Sequence, residues 1–492
     1  MNYRNILPLF GALTAPLLCQ SFTTTTIAAG NRPDEITLGD VDNDGDLDIV
    51  VAVDTPVNGV NVWLNDGTGS FTLSNSITIS PQTRSVLLCD FDNDGDLDLA
   101  VSTSSSVAVL RNVAGTFGNA AFYPVGTNPR GLTVADFDGN GSPDLAVANR
   151  DSNTVSVLLN SGTGSFGAAN TIPVGTEPRN VIAADFDRDG DADLASSNHD
   201  SRDVTVLLNA GNGTFGFGAT LPVGASFRAE WVTASDTDAD GDLDLVVALG
   251  EVNGRVGVFA NPGNGAFQGQ QITFVNGNEP GFVLCVDVTG DRLPDLVTGN
   301  EDSNDVSVLA NTGAGFGTPI VIPTGLHPDD MAAGDIDRDG DIDLVCSNRD
   351  SNSVSVLHNQ TANAATGPTM VYTGAVTQGP VMRLELAAPT EAGKTYVAGL
   401  SFASGPGIML PDSRVLPLGP SALLTVSLTI GNTIFPDPIG ILDGSGTKNV
   451  RFVLPAGPSL SGINVYGAFL VLDAGRPNGI GEISSQLALT IQ

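Results

Sequence analysis

Seven copies of one short acidic string constrain this chain more than any other feature. The first reads Asp40-Val-Asp42-Asn-Asp44-Gly-Asp46-Leu-Asp48. The others begin at Asp90, Asp136, Asp185, Asp236, Asp287 and Asp335, at spacings of 50, 46, 49, 51, 51 and 48 residues. Self-similarity at such a period marks units that cannot bury their apolar face alone and must stack on their neighbours. The fourth unit shows the order well. An apolar strand at Asn180–Ala184 precedes the acidic loop, and Leu194–Ser197 follows it. A polar loop then leads to Val204–Leu208, a glycine-rich turn ending at Phe215, and a last strand near Ala219–Val223. Four short antiparallel strands in roughly 50 residues are a propeller blade.

The expected fold is therefore all-β: a seven-bladed β-propeller over residues 22–359. The seventh unit stops at Asn359, without the glycine turn and fourth strand of the others. Phe22–Gly30 is similar to the segment after the turn in other units, such as Phe166–Gly175. The N-terminal strand is thus expected to complete the last blade and close the ring, leaving no exposed sheet edge. A linker at 360–368 leads to residues 369–492, which lack the acidic string. There, alternating runs such as Val381–Leu386, Leu423–Ile430 and Leu487–Ile491 predict a small β-sandwich-like domain with no catalytic constellation.

Aspartates at positions 1, 3, 5 and 9 of a tight loop repel one another, by about 1–4 kcal/mol per pair near 4 Å. A hard divalent cation with oxygen ligands removes that cost, and calcium tolerates the loosest geometry. The candidate ligands in the first two loops are Asp40, Asp42, Asp44, Asp46 and Asp48, then Asp90, Asp92, Asp94, Asp96 and Asp98. The third offers Asp136, Asp138, Asn140, Ser142 and Asp144, and the fourth Asp185, Asp187, Asp189, Asp191 and Asp193. The fifth has Asp236, Asp238, Asp240, Asp242 and Asp244, and the sixth Asp287, Thr289, Asp291 and Asp295. The seventh has Asp335, Asp337, Asp339, Asp341 and Asp343.

Position 6 is glycine in six loops, as a turn with positive φ requires. The sixth loop has Arg292 there and Thr289 at position 3, so its site is expected to be weak. Up to seven calcium ions follow, tying the blade hairpins together. An EF-hand is excluded, because position 12 is never acidic (Val51 in the first loop, Cys346 in the last) and a strand follows each loop.

Charge narrows the partners. The chain has 55 Asp+Glu against 20 Lys+Arg, a formal −35, and residues 361–492 carry only −1 of it (seven acidic, six basic). Such a field repels nucleic acid and anionic lipid. At the N-terminus, Arg4 and the apolar run Ile6–Leu18 predict an export signal over residues 1–21, cleaved before Phe22. No other segment is long and apolar enough to span a membrane. The expected location is extracellular or at the cell surface. Cys89, Cys285 and Cys346 sit in apolar strands of different units and are expected as buried free thiols.

The loops, together with Val155-Ser-Val-Leu-Leu-Asn160 and the turn Gly162-Thr-Gly164-Ser-Phe166, resemble the FG-GAP/VCBS repeat family, which includes the propeller of integrin α subunits. The likeness covers residues 22–359. The region after it looks like an accessory β module of bacterial secreted proteins. The resemblance implies metal loops on one face and ligand binding on the other, with sugar-binding and adhesive members known. On that second face, Arg84, Arg130 and Arg179 each precede the first loop aspartate by six residues, and Arg150, Arg202 and Arg349 occupy 2–3 loops. They are candidate contacts for a carboxylated glycan or a cell-surface protein, since arginine pairs bidentately with carboxylate. The competing expectation is internal pairing with Asp151, Asp200 and Asp350. A structural surface scaffold is the alternative role, and a polysaccharide-active enzyme using a carboxylate pair among the many acids is a lesser one. An enzyme is not expected, as only His199, His327 and His358 are present and no nucleophile or phosphate-loop pattern occurs.

Overall fold

The computed structural model describes residues 21–360, apart from 55–57, 80–81 and 252. Beyond them it describes only the backbone of strand segments between Thr369 and Thr490. The expected export signal and most of the linker lie outside the described residues. No helix occurs among the described residues, so none is long and apolar enough to cross a membrane.

Seven four-stranded antiparallel sheets follow one another along the chain. In the fourth, the strands are Pro178–Ala184, Asp193–Asn198, Asp203–Asn209 and Phe215–Pro222. The first strand begins two residues earlier than the apolar pattern alone suggests. A bulge between Pro178 and Asn180 shifts the register there and hides the alternation. In the seventh sheet, Pro328–Gly334, Asp343–Asn348 and Ser353–Asn359 are joined by Phe22–Ala28, with Phe22 opposite Asn359 and Ala28 opposite Ser353. The first strands of successive blades touch one another all the way round, including Pro33–Gly39 against Pro328–Gly334. They form the innermost layer about the axis.

The second strand of each blade is buried on both faces, as in Asp48–Val53, where all six residues are buried. Its alternate residues serve two different cores. Ile49, Val51 and Val53 pack with Ile336, Val345, Val354 and Val356 of the seventh blade. Val50 and Ala52 pack with Val86, Leu99, Val101 and Leu110 of the second. Period-two geometry sends successive side chains to opposite faces, so a strand between two neighbours needs an unbroken apolar run. Each of the seven interfaces between adjacent blades holds such a cluster. Phenylalanines at loop position 2 lock three of them edge-on: Phe91 with Phe166, Phe137 with Phe215, and Phe186 with Phe267, at centroid distances of 5.4–5.5 Å.

Candidate metal centres and the opposite rim

Every acidic loop occupies the same place in its blade. The first strand ends one residue before position 1, as at Gly39, and the second begins at position 9, as at Asp48. The position-1 carboxylate accepts the position-6 amide across the turn in all seven loops, for example Gly95 to Asp90 Oδ2 at 2.9 Å and Arg292 to Asp287 Oδ2 at 2.7 Å. Position 6 has positive φ throughout, from Gly95 at 97° to Arg292 at 75°. The sixth loop therefore keeps its shape at the cost of strain in a non-glycine residue, about 1 kcal/mol. Position 4 is also left-handed, including Arg188 at 62°, Ala239 at 62° and Arg338 at 61°.

Position 9 anchors the loop. Asp144 is fully buried; its Oδ2 accepts Phe137 N at 2.8 Å and its Oδ1 accepts Asn160 N. The same pair of bonds recurs at Asp48, Asp98, Asp193, Asp244, Asp295 and Asp343. The asparagine that closes this bond lies at the end of the third strand or two residues beyond it, as at Asn209 and Asn160, and does a second job. Asn160 Nδ2 donates to Pro143 O of its own loop at 3.0 Å and to Phe91 O of the preceding blade at 2.8 Å. Asn112, Asn209, Asn261, Asn311 and Asn359 repeat the clasp, and Asn65 makes it to Ile336 O of the seventh blade. These residues were missed in the sequence reading, where they pass for turn formers. Their identity in all seven copies is the signal that could have found them.

Without a cation, burial and the neighbouring carboxylates push Asp48, Asp98, Asp144 and Asp193 up to about 7 and Asp343 to about 6, against the backbone amides that hold them down. Buried oxygens with no hydrogen-bond partner, Oδ1 of Asp42, Asp92, Asp185 and Asp337, remain in these loops. In the first loop, oxygens of Asp40, Asp42 and Asp48 lie within 4.8 Å of one another, and Asp90, Asp92 and Asp94 do the same in the second. An all-oxygen donor set with unspent buried lone pairs fits a hard divalent ion.

The position-7 side chains face elsewhere. Asp46 meets Arg338 of blade 7, Asp242 meets Arg188 of blade 4, and Asp96 accepts Asn43 of blade 1. Three position-4 side chains, Asn43, Arg188 and Arg338, thus bridge to the next loop. The loops also differ in a way the sequence reading did not foresee. In blade 2, Arg111 Nη1 lies 3.0 Å from Asp92 Oδ2, an internal counter-charge at position 3.

The three candidate ligand arginines stand near the opposite ends of the first strands, about 20 Å from the loops at 3.3 Å per residue. Their partners are not the expected ones. Arg84 pairs with Asp34 of blade 1 at 2.8 Å, and Arg179 with the buried Glu230 of blade 5. Arg150 pairs with Glu177 at 2.7 Å, and only at 3.9 Å with Asp151. The half-buried Arg130 side chain makes no hydrogen bond or ion pair among the described residues. Burial lowers its pKa, with Arg84, Arg150 and Arg179 adding to the effect and Asp34 opposing it. Acids gather on the other side of the axis. Burial and Asp34 raise Asp329 well above its ordinary value, and burial and Glu230 push Glu301 to about 7. Against its own burial, Asp34 is held low by a hydrogen bond from Asp329 and by Arg130 and Arg84. Cys89 and Cys346 are buried and Cys285 partly so, all three as free thiols.

Fold and loops together define a β-propeller whose blades each carry an acidic hairpin between the first and second strands. The chain belongs to the FG-GAP-like repeat family: the family model matches at residues 40–101, 90–147, 136–196, 185–247, 236–298 and 287–346. Each match runs from one loop through the second strand of the next blade, so six matches span seven loops. No curated protein matches the chain. Among solved structures, BBS1N crystallised in complex with ARL6DN is similar at 15% identity, covering 70% of this chain and 98% of that one, with a TM-score of 0.51. A lectin of Agrocybe aegerita that recognises non-reducing terminal N-acetylglucosamine matches at 23% identity, over 62% and 81% of the chains, with a TM-score of 0.45. The periplasmic gluconolactonase PpgL of Pseudomonas aeruginosa matches at 18%, over 60% and 86%, with a TM-score of 0.46. These likenesses concern the fold.

Proposed function

We propose that this protein is an exported, calcium-loaded propeller that acts as a non-enzymatic binding or adhesion module. Its ligand is an anionic glycan or a cell-surface protein presenting carboxylates, taken at the rim away from the acidic loops. The observation that carries this reading is Arg130, a half-buried guanidinium that feels the charge of three others at the rim, makes no direct ion pair and is offset only by the field of Asp34. A half-buried cation without a direct ion pair is costly, and an incoming carboxylate relieves that cost bidentately. Arg84 and Arg179 act as positioning residues, since Asp34 and Glu230 already hold them. Calcium in the loops stiffens the ring, the pairing of Phe22–Ala28 with Ser353–Asn359 closes it, and a small C-terminal β domain serves as an accessory module. The test is binding of calcium-loaded protein to a panel of acidic glycans and surface proteins, repeated with Arg130→Ala. Loss of at least tenfold in affinity without any fall in melting temperature supports the proposal. Equal binding by wild type and variant, or binding confined to neutral ligands, refutes it.

A further inference from the structure

The residue just before each clasp asparagine reaches toward position 3 of its own loop when its side chain is long enough. In blade 2 it is Arg111, against Asp92. In blade 7 it is His358, whose Nδ1 lies 3.5 Å from Asp337 Oδ2. The other five blades have Leu64, Leu159, Leu208, Ala260 and Ala310 there, none with a lone pair to offer. His358 is 8% exposed, and its Nδ1 is buried with no hydrogen-bond partner. Its other ring nitrogen, Nε2, sits 3.4 Å from Thr25 Oγ1 of the N-terminal strand. A metal-bound histidine characteristically donates its second N–H to an oxygen, which fixes the tautomer and leaves the first nitrogen's lone pair for the ion. Ligand atoms of Asp337, Asp343 and His358 lie within 4.8 Å of one another. Tetrahedral zinc with bonds of about 2.0–2.1 Å spaces its ligand atoms about 3.3 Å apart, close to the separation between His358 and Asp337.

We infer that the seventh loop is a mixed nitrogen–oxygen site that selects a zinc-class transition-metal ion over calcium, with His358 Nδ1, Asp337 and Asp343 as ligands. Imidazole favours such ions, whereas calcium gains little from nitrogen. The inference rests on the reading of the acidic loops as cation sites, and goes beyond it by giving one loop a different ion.

The experiment uses the full chain, stripped with EDTA and then held in millimolar calcium while zinc is titrated by calorimetry. Bound metals are counted by mass spectrometry after dialysis. The expected result is one zinc per chain that survives the calcium excess. It should be lost in His358→Gln with the calcium count of the other loops unchanged, and Arg111→His should gain a second zinc. Zinc retained equally by His358→Gln, or no zinc retained by the wild type, overturns the inference. Calcium uptake without zinc selectivity sinks this inference alone. Absence of both ions sinks the loop reading as well. Should His358→Gln fail to fold, nitrogen-15 spectra of the wild type decide: a zinc-induced shift confined to Nδ1 of one histidine supports the site, and no shift refutes it.

Discussion

The clasp asparagines predict a cost that can be worked out from the contacts. Asn160 is 1% exposed; its amide donates to Phe91 O and Pro143 O, and its Oδ1 accepts Gly162 N at 3.0 Å. Asn160→Ala removes the donor shared by two carbonyls at a buried interface between blades 2 and 3. Leaving a buried polar group unsatisfied costs about 1–3 kcal/mol, so the pair should cost about 2–6 kcal/mol. Unfolding entropy near 2.1 cal/mol/K per residue, over a unit of roughly 340 residues, gives about 0.7 kcal/mol/K and a fall in Tm of about 3–9 °C. Asn160→Asp keeps the shape but turns an acceptor toward two carbonyls. Its deficit should equal or exceed that of alanine at pH 7 and shrink as acid protonates the new carboxyl. The assay is calorimetric melting of the calcium-loaded and EDTA-treated chain, with the exposed Asn170 changed to Ala as a control expected within about 0.5 kcal/mol of wild type. A loss below about 0.5 kcal/mol for Asn160→Ala would show that the clasp does not hold the blades, and the reasoning fails.

Acid–base behaviour gives a second expectation. Carboxyls such as Asp48 and Asp144, raised from 3.8 to about 7 in the metal-free fold, bind protons more tightly folded than unfolded. Their contribution is present below about pH 4 and is lost as pH rises through 7. Melting of the EDTA-treated protein should therefore drop across that window, while the gain from added calcium grows; a calcium gain that is flat with pH contradicts this. At the rim, Arg130→Met should raise the melting temperature by removing a half-buried charge that makes no direct ion pair. Arg84→Met should lower the melting temperature, at a cost of about 1–3 kcal/mol, because it strips Asp34 of its 2.8 Å ion pair. Thermal shift of the two variants in one buffer separates them, and identical shifts refute the pairing. In the sixth loop, Arg292→Gly should stabilise by about 1 kcal/mol through relief of the positive φ and add calcium uptake, read by calorimetry.

Much of this architecture is visible in the linear chain because its determinants are local. The loop string, the glycine turn and the β-branched runs lie within single repeats, and each recurs often enough to separate rule from accident. What escaped was set between repeats. Arg84 finds Asp34 and Arg179 finds Glu230 about 50 residues away, through the angular packing of first strands, so a search for partners within the same loop chose Asp151, Asp200 and Asp350 instead. The clasp asparagines were hidden for a related reason, since their decisive bond crosses to the previous blade. The left-handed position 4 was overlooked because Asn43 and Asn93 tolerate it so readily that only Arg188, Ala239 and Arg338 betray the demand.

The division of the apolar interior into seven thin slices has a mechanical consequence. A linear stack of repeats frays, because its terminal units are held on one side only. Here every wedge is gripped on two sides, and Asn65 reaches Ile336 across the seam between blade 1 and blade 7. To let one wedge go, two slices must open at once, so amide exchange should be slow and nearly uniform around the hoop, with no unit acting as the place where unravelling starts.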